Sequence, residues 1–98
     1  MELIETPDFL QEKRQYMHKV SSFGNTNIVN IQLRENEVVP EHEIDADVLI
    51  VVRSGSVSFN IGGEMSTVTP GKILHIEPGE AHSLKAEKAC DIIVIQIS

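Results

Sequence analysis

The sequence predicts a small all-β sandwich or barrel, and three observations predict it. Apolar side chains make up 41% of the 98 residues but aromatic ones only 4%, with Trp absent, so the core has to be aliphatic. The apolar residues are mostly Ile and Val, whose branching at Cβ restricts χ1 in helices and packs well on a pleated surface. From residue 28 onward, short apolar or alternating runs recur at regular spacing between Gly, Pro or charged turns, with no helical period between them. A chain of this length closes one core and not two.

The elements follow in order. Asp8 to Val20 (DFLQEKRQYMHKV) is rich in helix formers, with Phe9, Lys13, Tyr16, Met17 and Val20 near helical spacing. It predicts a short helix capped by Asp8 or an extended arm lying across the barrel. Residues 1–27 are read as this N-terminal arm and residues 28–98 as the barrel. Ile28 to Arg34 alternates, with Val29, Ile31 and Leu33 on one face and Asn30 and Gln32 on the other, as in a half-buried strand. Val38 to His42 is a second strand, confined by Pro40 to an edge or a bulge. Val48 to Arg53 (VLIVVR) reads as a strand buried on both faces, and Ser54-Gly55 as a tight turn into Val57-Phe59-Ile61. Gly62-Gly63 turns the chain into Glu64 to Thr69, and Pro70-Gly71 into Ile73 to Ile76. Pro78-Gly79 then leads to His82 to Ala86, and the polar turn Glu87-Lys88-Ala89 to Asp91 to Ile97. The total is about eight short strands. Closure into a barrel would hide edges as adhesive as VLIVV and DIIVIQI.

Charge and composition exclude several functions. A net charge of -7, with the eight basic residues scattered along the chain, opposes binding to nucleic acid or anionic lipid. No apolar run approaches the roughly 20 residues that span a bilayer, and MELIETPDFL lacks the features of a signal peptide. A soluble cytoplasmic protein is expected. The single cysteine, Cys90, has no internal disulfide partner, in keeping with a reducing compartment. It reads as a small side chain in a strand, and His18 as a solvated surface residue. Glu35, Glu37, Glu41, Glu43, Asp45 and Asp47 place six acids in thirteen residues. The spacing and glycine of a calcium loop are absent, so they read as a solvated loop. No phosphate-binding glycine loop and no nucleophilic serine motif occurs.

The stretch GKILHIEPGEAH, Gly71 to His82, is the most informative. A brief strand ends in the Pro78-Gly79 turn, which returns His82 to the wall of a β-structure. His75 has the opposite parity to Leu74 and Ile76, and so points outward if they point inward.

Here the chain resembles the cupins, whose second motif, G-x5-P-x-G-x2-H-x3-N, is matched by Gly71, Gly79 and His82. Pro78 is displaced by one, and Ala86 stands in place of the asparagine. The first motif, G-x5-H-x-H followed by Glu and a closing Gly, is eroded. Counted back from Gly55, His42 takes the place of the first histidine, Ile44 of the second and Val48 of the glutamate. The resemblance, over residues 28 to 97, implies a double-stranded β-helix, or jelly-roll, barrel with a site at its mouth formed by His42, Ile44, Val48 and His82. The family's metal, a divalent Zn, Fe, Mn or Ni ion, would keep His42 and His82 as ligands. Two donors are fewer than the three or four such a metal needs, unless Glu43, Asp45, Asp47, Glu77 or His75 joins them.

Three functions follow from the resemblance. The first is a protein binding a small organic ligand in the barrel mouth without a complete metal site. The second is a metal-dependent enzyme of oxygenase or isomerase type, using His42, His82 and a nonstandard ligand. The third is a structural or interaction module without a ligand. The family's habit of pairing through outer strands implies a homodimer.

Overall fold

The computed structural model describes residues 1–98. It is all-β, with seven antiparallel strands: β1 (Gln15–Phe23), β2 (Thr26–Leu33), β3 (Val38–His42), β4 (Asp47–Ile61), β5 (Glu64–Val68), β6 (Ile73–Ile76) and β7 (His82–Ile97). No helix is present, so none is long and apolar enough to cross a membrane.

Strands β4 and β7 carry the architecture. They pair along almost their whole length, from Asp47 with Ile97 to Ile61 with His82, and the ladder bends at irregularities between Val52 and Val57. One half of each strand belongs to a front sheet with β1, β2 and β6; the other half belongs to a back sheet with β3 and β5. Inward side chains from both sheets, among them Leu33, Val48, Ile50, Val57, Phe59, Ile76 and Ile92, make one aliphatic core.

The bend corrects two sequence expectations. Ser54-Gly55 is not a hairpin turn and Glu87-Lys88-Ala89 does not separate two strands, because both lie within continuous strands where the ladder folds over. Gly55 has φ +87°, and a Cβ there would lie 2.7 Å from Cys90 Cα and against the Ala89 carbonyl. Only glycine allows β7 to cross so closely. The first half of β4 also alternates buried with half-buried residues, instead of burying both faces, since no layer fully covers the outer side of the front sheet.

The predicted N-terminal helix is replaced by a strand. Residues 9–13 make a single turn, with Lys13 N donating to Phe9 O at 2.9 Å and Asp8 Oδ1 accepting from Leu10 N. From Gln15 onward the chain pairs with β2. The gain from pairing, and from packing the Tyr16 ring 4.5 Å from that of Phe9, outweighs a helix propensity that differs little among these residues.

The preceding segment lies on the outer face of the front sheet and explains why β2 is buried on both faces. Gln32 accepts from Phe9 N and donates to Pro7 O, both at 2.8 Å, and donates to Asn30 Oδ1 at 3.0 Å. Asn30 donates to Asp91 at 2.7 Å, and Asp91 is paired with Arg53 at 2.6 Å, which also donates to Thr6. Asn30 and Gln32 are buried, and they can be only because their polar groups have partners.

Two predictions follow. Gly55→Ala forces an L residue into positive φ against immovable backbone, and is expected to lower stability by roughly 2 to 4 kcal/mol. Gly24→Ala, with positive φ and open space around it, should lose only about 1 to 2 kcal/mol; urea denaturation of both variants checks the ordering. Burial pushes the Cys90 thiol up to about 11 from an ordinary 9, opposed by a backbone hydrogen bond from Leu33 and aided by the Asp91 charge. The unfolded chain therefore releases this proton first, and stability falls as pH rises from about 9 towards 11. Between pH 8 and 10.5, wild type should lose about 2 kcal/mol more than Cys90→Ala in matched urea titrations.

Candidate functional site

Because the β4–β7 ladder folds over at its middle, its two ends come together at one mouth of the barrel. Three local features then place the histidines. The chain turns at Glu77–Glu80, where Glu80 N donates to Glu77 O and Gly79 has φ +79°. Gly79 N also donates to Ile44 O at 3.0 Å, tying this turn to the loop that follows β3. Finally, β3 pairs with β7 so that His42 stands opposite His82, after an irregularity around Pro40.

The two imidazoles meet edge to face with ring centroids 4.2 Å apart. His42 Nδ1 lies 2.9 Å from Pro40 O and His82 Nδ1 lies 3.0 Å from Glu80 O. A carbonyl can only accept, so each Nδ1 carries the proton, and in the neutral form of each ring Nε2 is the lone pair. Neither Nε2 has a hydrogen-bond partner within the protein. No buried side-chain nitrogen or oxygen is left unsatisfied, so the Nε2 of His82, a residue only 3% exposed, opens onto the space beside it.

That space is a cavity of about 220 Å³ between the two sheets, and all four residues singled out from the sequence, His42, Ile44, Val48 and His82, line it. Sequence reasoning missed the rest of the wall: Met17, Val29, Ile31 and Ile50 from the front sheet, Val39, Phe59 and Leu84 from the back, and Val94 and Gln96 from the end of β7. Strand parity would have found most of them, since Val29, Ile31, Val94 and Gln96 occupy inward positions. Met17 was hidden by its assignment to a helix. His42, His82 and Gln96 are the only polar residues in the lining, and the Gln96 amide makes no hydrogen bond to the protein.

The other candidate donors lie elsewhere. His75 points outward, as its parity required, and its Nε2 is 2.8 Å from Asp47 Oδ1. Glu43, Asp45 and Glu77 are exposed. Glu80 accepts from Glu77 N through its side chain. No group of three or more His, Cys, Asp or Glu side chains is arranged to hold a metal ion. Ile44 is half-buried and Val48 is a core residue, so apolar carbon stands where two further donors would have to be. The residues present do not fit a three- or four-ligand centre.

A two-sheet barrel built on a folded ladder, with its site at the mouth, defines the chain as a cupin. More particularly, the chain belongs to the AraC-like ligand-binding domain family, whose model matches residues 29–97. No curated protein matches the sequence. Among solved structures, it is similar to a conserved protein of unknown function from Streptococcus pyogenes, with TM-score 0.83 and 17% identity, covering 100% of this chain and 90% of that one. An RmlC-like cupin family protein from Methanocaldococcus jannaschii aligns with TM-score 0.84 and 14% identity over 99% and 90% of the two chains. The Cupin_2 domain of an XRE family transcriptional regulator from Enterobacter cloacae aligns with TM-score 0.75 and 16% identity over 88% and 98%.

Donor replacement predicts a gain of function. Ile44→His combined with Val48→Glu restores the family's donor types beside His42 and His82. The double variant is expected to hold about one divalent metal per chain after Ni(II) or Zn(II) loading and desalting, measured by elemental analysis. Wild type treated in parallel should retain a small fraction of that.

Proposed function

We propose that the protein binds a small organic molecule in the barrel mouth without needing a metal ion. The observation that carries this reading is the cavity itself: an aliphatic wall with Phe59 in it, and two imidazole Nε2 lone pairs at the rim. Its volume is below the usual range for drug-sized ligands but above the roughly 150 Å³ that accommodates benzene, so the ligand has a single ring or a short branched chain. Its apolar body would displace solvent from the wall, and its polar head would meet His42 and His82. The shortage of donors favours this over a metal-dependent enzyme of oxygenase or isomerase type, and the open cavity favours it over a purely structural module. The regulatory domain from Enterobacter cloacae, with a similar barrel, is in keeping with a sensing role.

A homodimer is part of the same proposal. On the outer face of the front sheet, Ile28, Ile95 and Leu49 stand in one cross-strand row, and Ile93, Val51 and Ile73 in the next. Ile73 is 70% exposed. Aliphatic rows of this kind are suited to isologous pairing between two copies in the cytoplasm.

Thermal denaturation against a panel of monocyclic and short-chain compounds, in the presence of EDTA, tests the ligand reading. At a hundredfold excess over Kd a specific ligand stabilises by about 2.7 kcal/mol, and the shift should persist in chelator. A shift that appears only on adding metal would support the enzyme reading instead. For the dimer, light scattering should give twice the monomer mass for wild type and the monomer mass for Ile73→Glu, with an unchanged unfolding midpoint in the dilute limit.

A further inference from the structure

Charge is segregated along the barrel axis. The segments around the mouth, residues 23–27, 41–47, 61–64, 76–82 and 95–98, contain no Lys or Arg. They carry Glu41, Glu43, Asp45, Glu64, Glu77 and Glu80, in addition to the Asp47 that pairs with His75. Of the basic residues that looked scattered in the sequence, Lys13, Arg14, Arg34, Arg53, Lys72 and Lys88 lie towards the bend of the β4–β7 ladder, away from the mouth, while Lys19 and Lys85 sit in mid-strand. Carboxylates without nearby counter-charges, around a cleft with low-dielectric walls, give a focused negative potential.

Inside the mouth, the unpartnered groups are chiefly acceptors. The Nδ1 protons of His42 and His82 are committed to the Pro40 and Glu80 carbonyls, so the nearly buried His82 turns an unpartnered Nε2 lone pair to the cavity. Gln96 adds an amide oxygen. Unpartnered lone pairs facing a mostly apolar cavity call for donors.

We propose that the ligand is a small organic cation, an amine with a single ring or short branched aliphatic body, whose ammonium N–H groups donate to Nε2 of His82 and His42. This rests on the reading that the cavity takes a small organic molecule. An alcohol supplies one proton and no charge. A carboxylate meets the acidic mouth and, against neutral rings, finds only the Gln96 amide N–H as a donor. An ammonium group supplies both donors and complementary charge.

Benzylamine (as its ammonium ion), benzyl alcohol and benzoate are close in size and differ in charge. Calorimetric titration of each into the full chain, with EDTA present, is expected to rank the amine at least about tenfold tighter than the alcohol, with benzoate weakest. The amine's advantage should shrink in high KCl. It should also shrink in Glu43→Gln with Asp45→Asn, two exposed positions, while alcohol binding stays unchanged. Equal or tighter binding of the alcohol or of benzoate overturns the cationic assignment and leaves the cavity reading standing. Failure of all three to bind, or binding undiminished in Ile44→Trp, which obstructs the half-buried rim, overturns the cavity reading and the amine with it.

Discussion

The antiparallel pairing of β4 with β7 is the constraint on which the rest of the structure depends. A two-layer sandwich usually needs separate strands for each layer and connections between them. Here, two strands of fifteen and sixteen residues serve both layers by bending together, and the other five strands attach to them or to β2. The bend succeeds because Gly55 lets the Ala89-Cys90 backbone pass within contact distance. A side chain at this point would separate the strands where both sheets share them.

Folding the ladder over brings its ends to one mouth, but it does not by itself fix the histidines. That task falls to short-range hydrogen bonds: Gly79 N to Ile44 O joins the two loops, and each Nδ1–H is held by a carbonyl two residues upstream of its own ring. A ring fixed in one tautomer by its own backbone does not need to reorganise when something binds at Nε2. The same anchoring serves a metal ligand or a hydrogen-bond acceptor equally well. The identity of the neighbours at positions 44 and 48 decides between them.

How far the sequence was legible depended on whether local signals and tertiary demands agreed. They agreed at Gly71 to His82, where the turn chemistry of Pro78-Gly79 both ends a strand and delivers the histidine. Ile44 and Val48, which line the cavity, were reached through the resemblance to the cupin motif and not through any local signal. Signals and demands conflicted at Gln15 to Val20, where helix-forming side chains are recruited to a sheet edge. Ser54-Gly55 carried turn residues for a different reason, a close backbone crossing. Asn30 and Gln32 were placed on the outer face of β2, but nothing local could show that Thr6 to Phe9 would cover them. Alternation reveals which face a side chain is on, whereas burial depends on what lies above that face.

The exchange of donors for carbon at positions 44 and 48 changes more than ligand count. A dicationic metal keeps a mouth hydrated and its carboxylates balanced, whereas Ile44 and Val48 leave a mostly apolar cavity beneath an uncompensated acidic rim. Water in such a cavity has few partners, and Nε2 of His42 and His82 has none within the protein. An apolar molecule with a donor at one end removes both deficits at once: its body replaces weakly held water along the aliphatic wall, and its head satisfies Nε2. The physical selection therefore acts jointly on both ends of a ligand. A purely apolar one leaves the imidazoles unpaired, and a purely polar one gains nothing from Phe59, Ile50 and Val94.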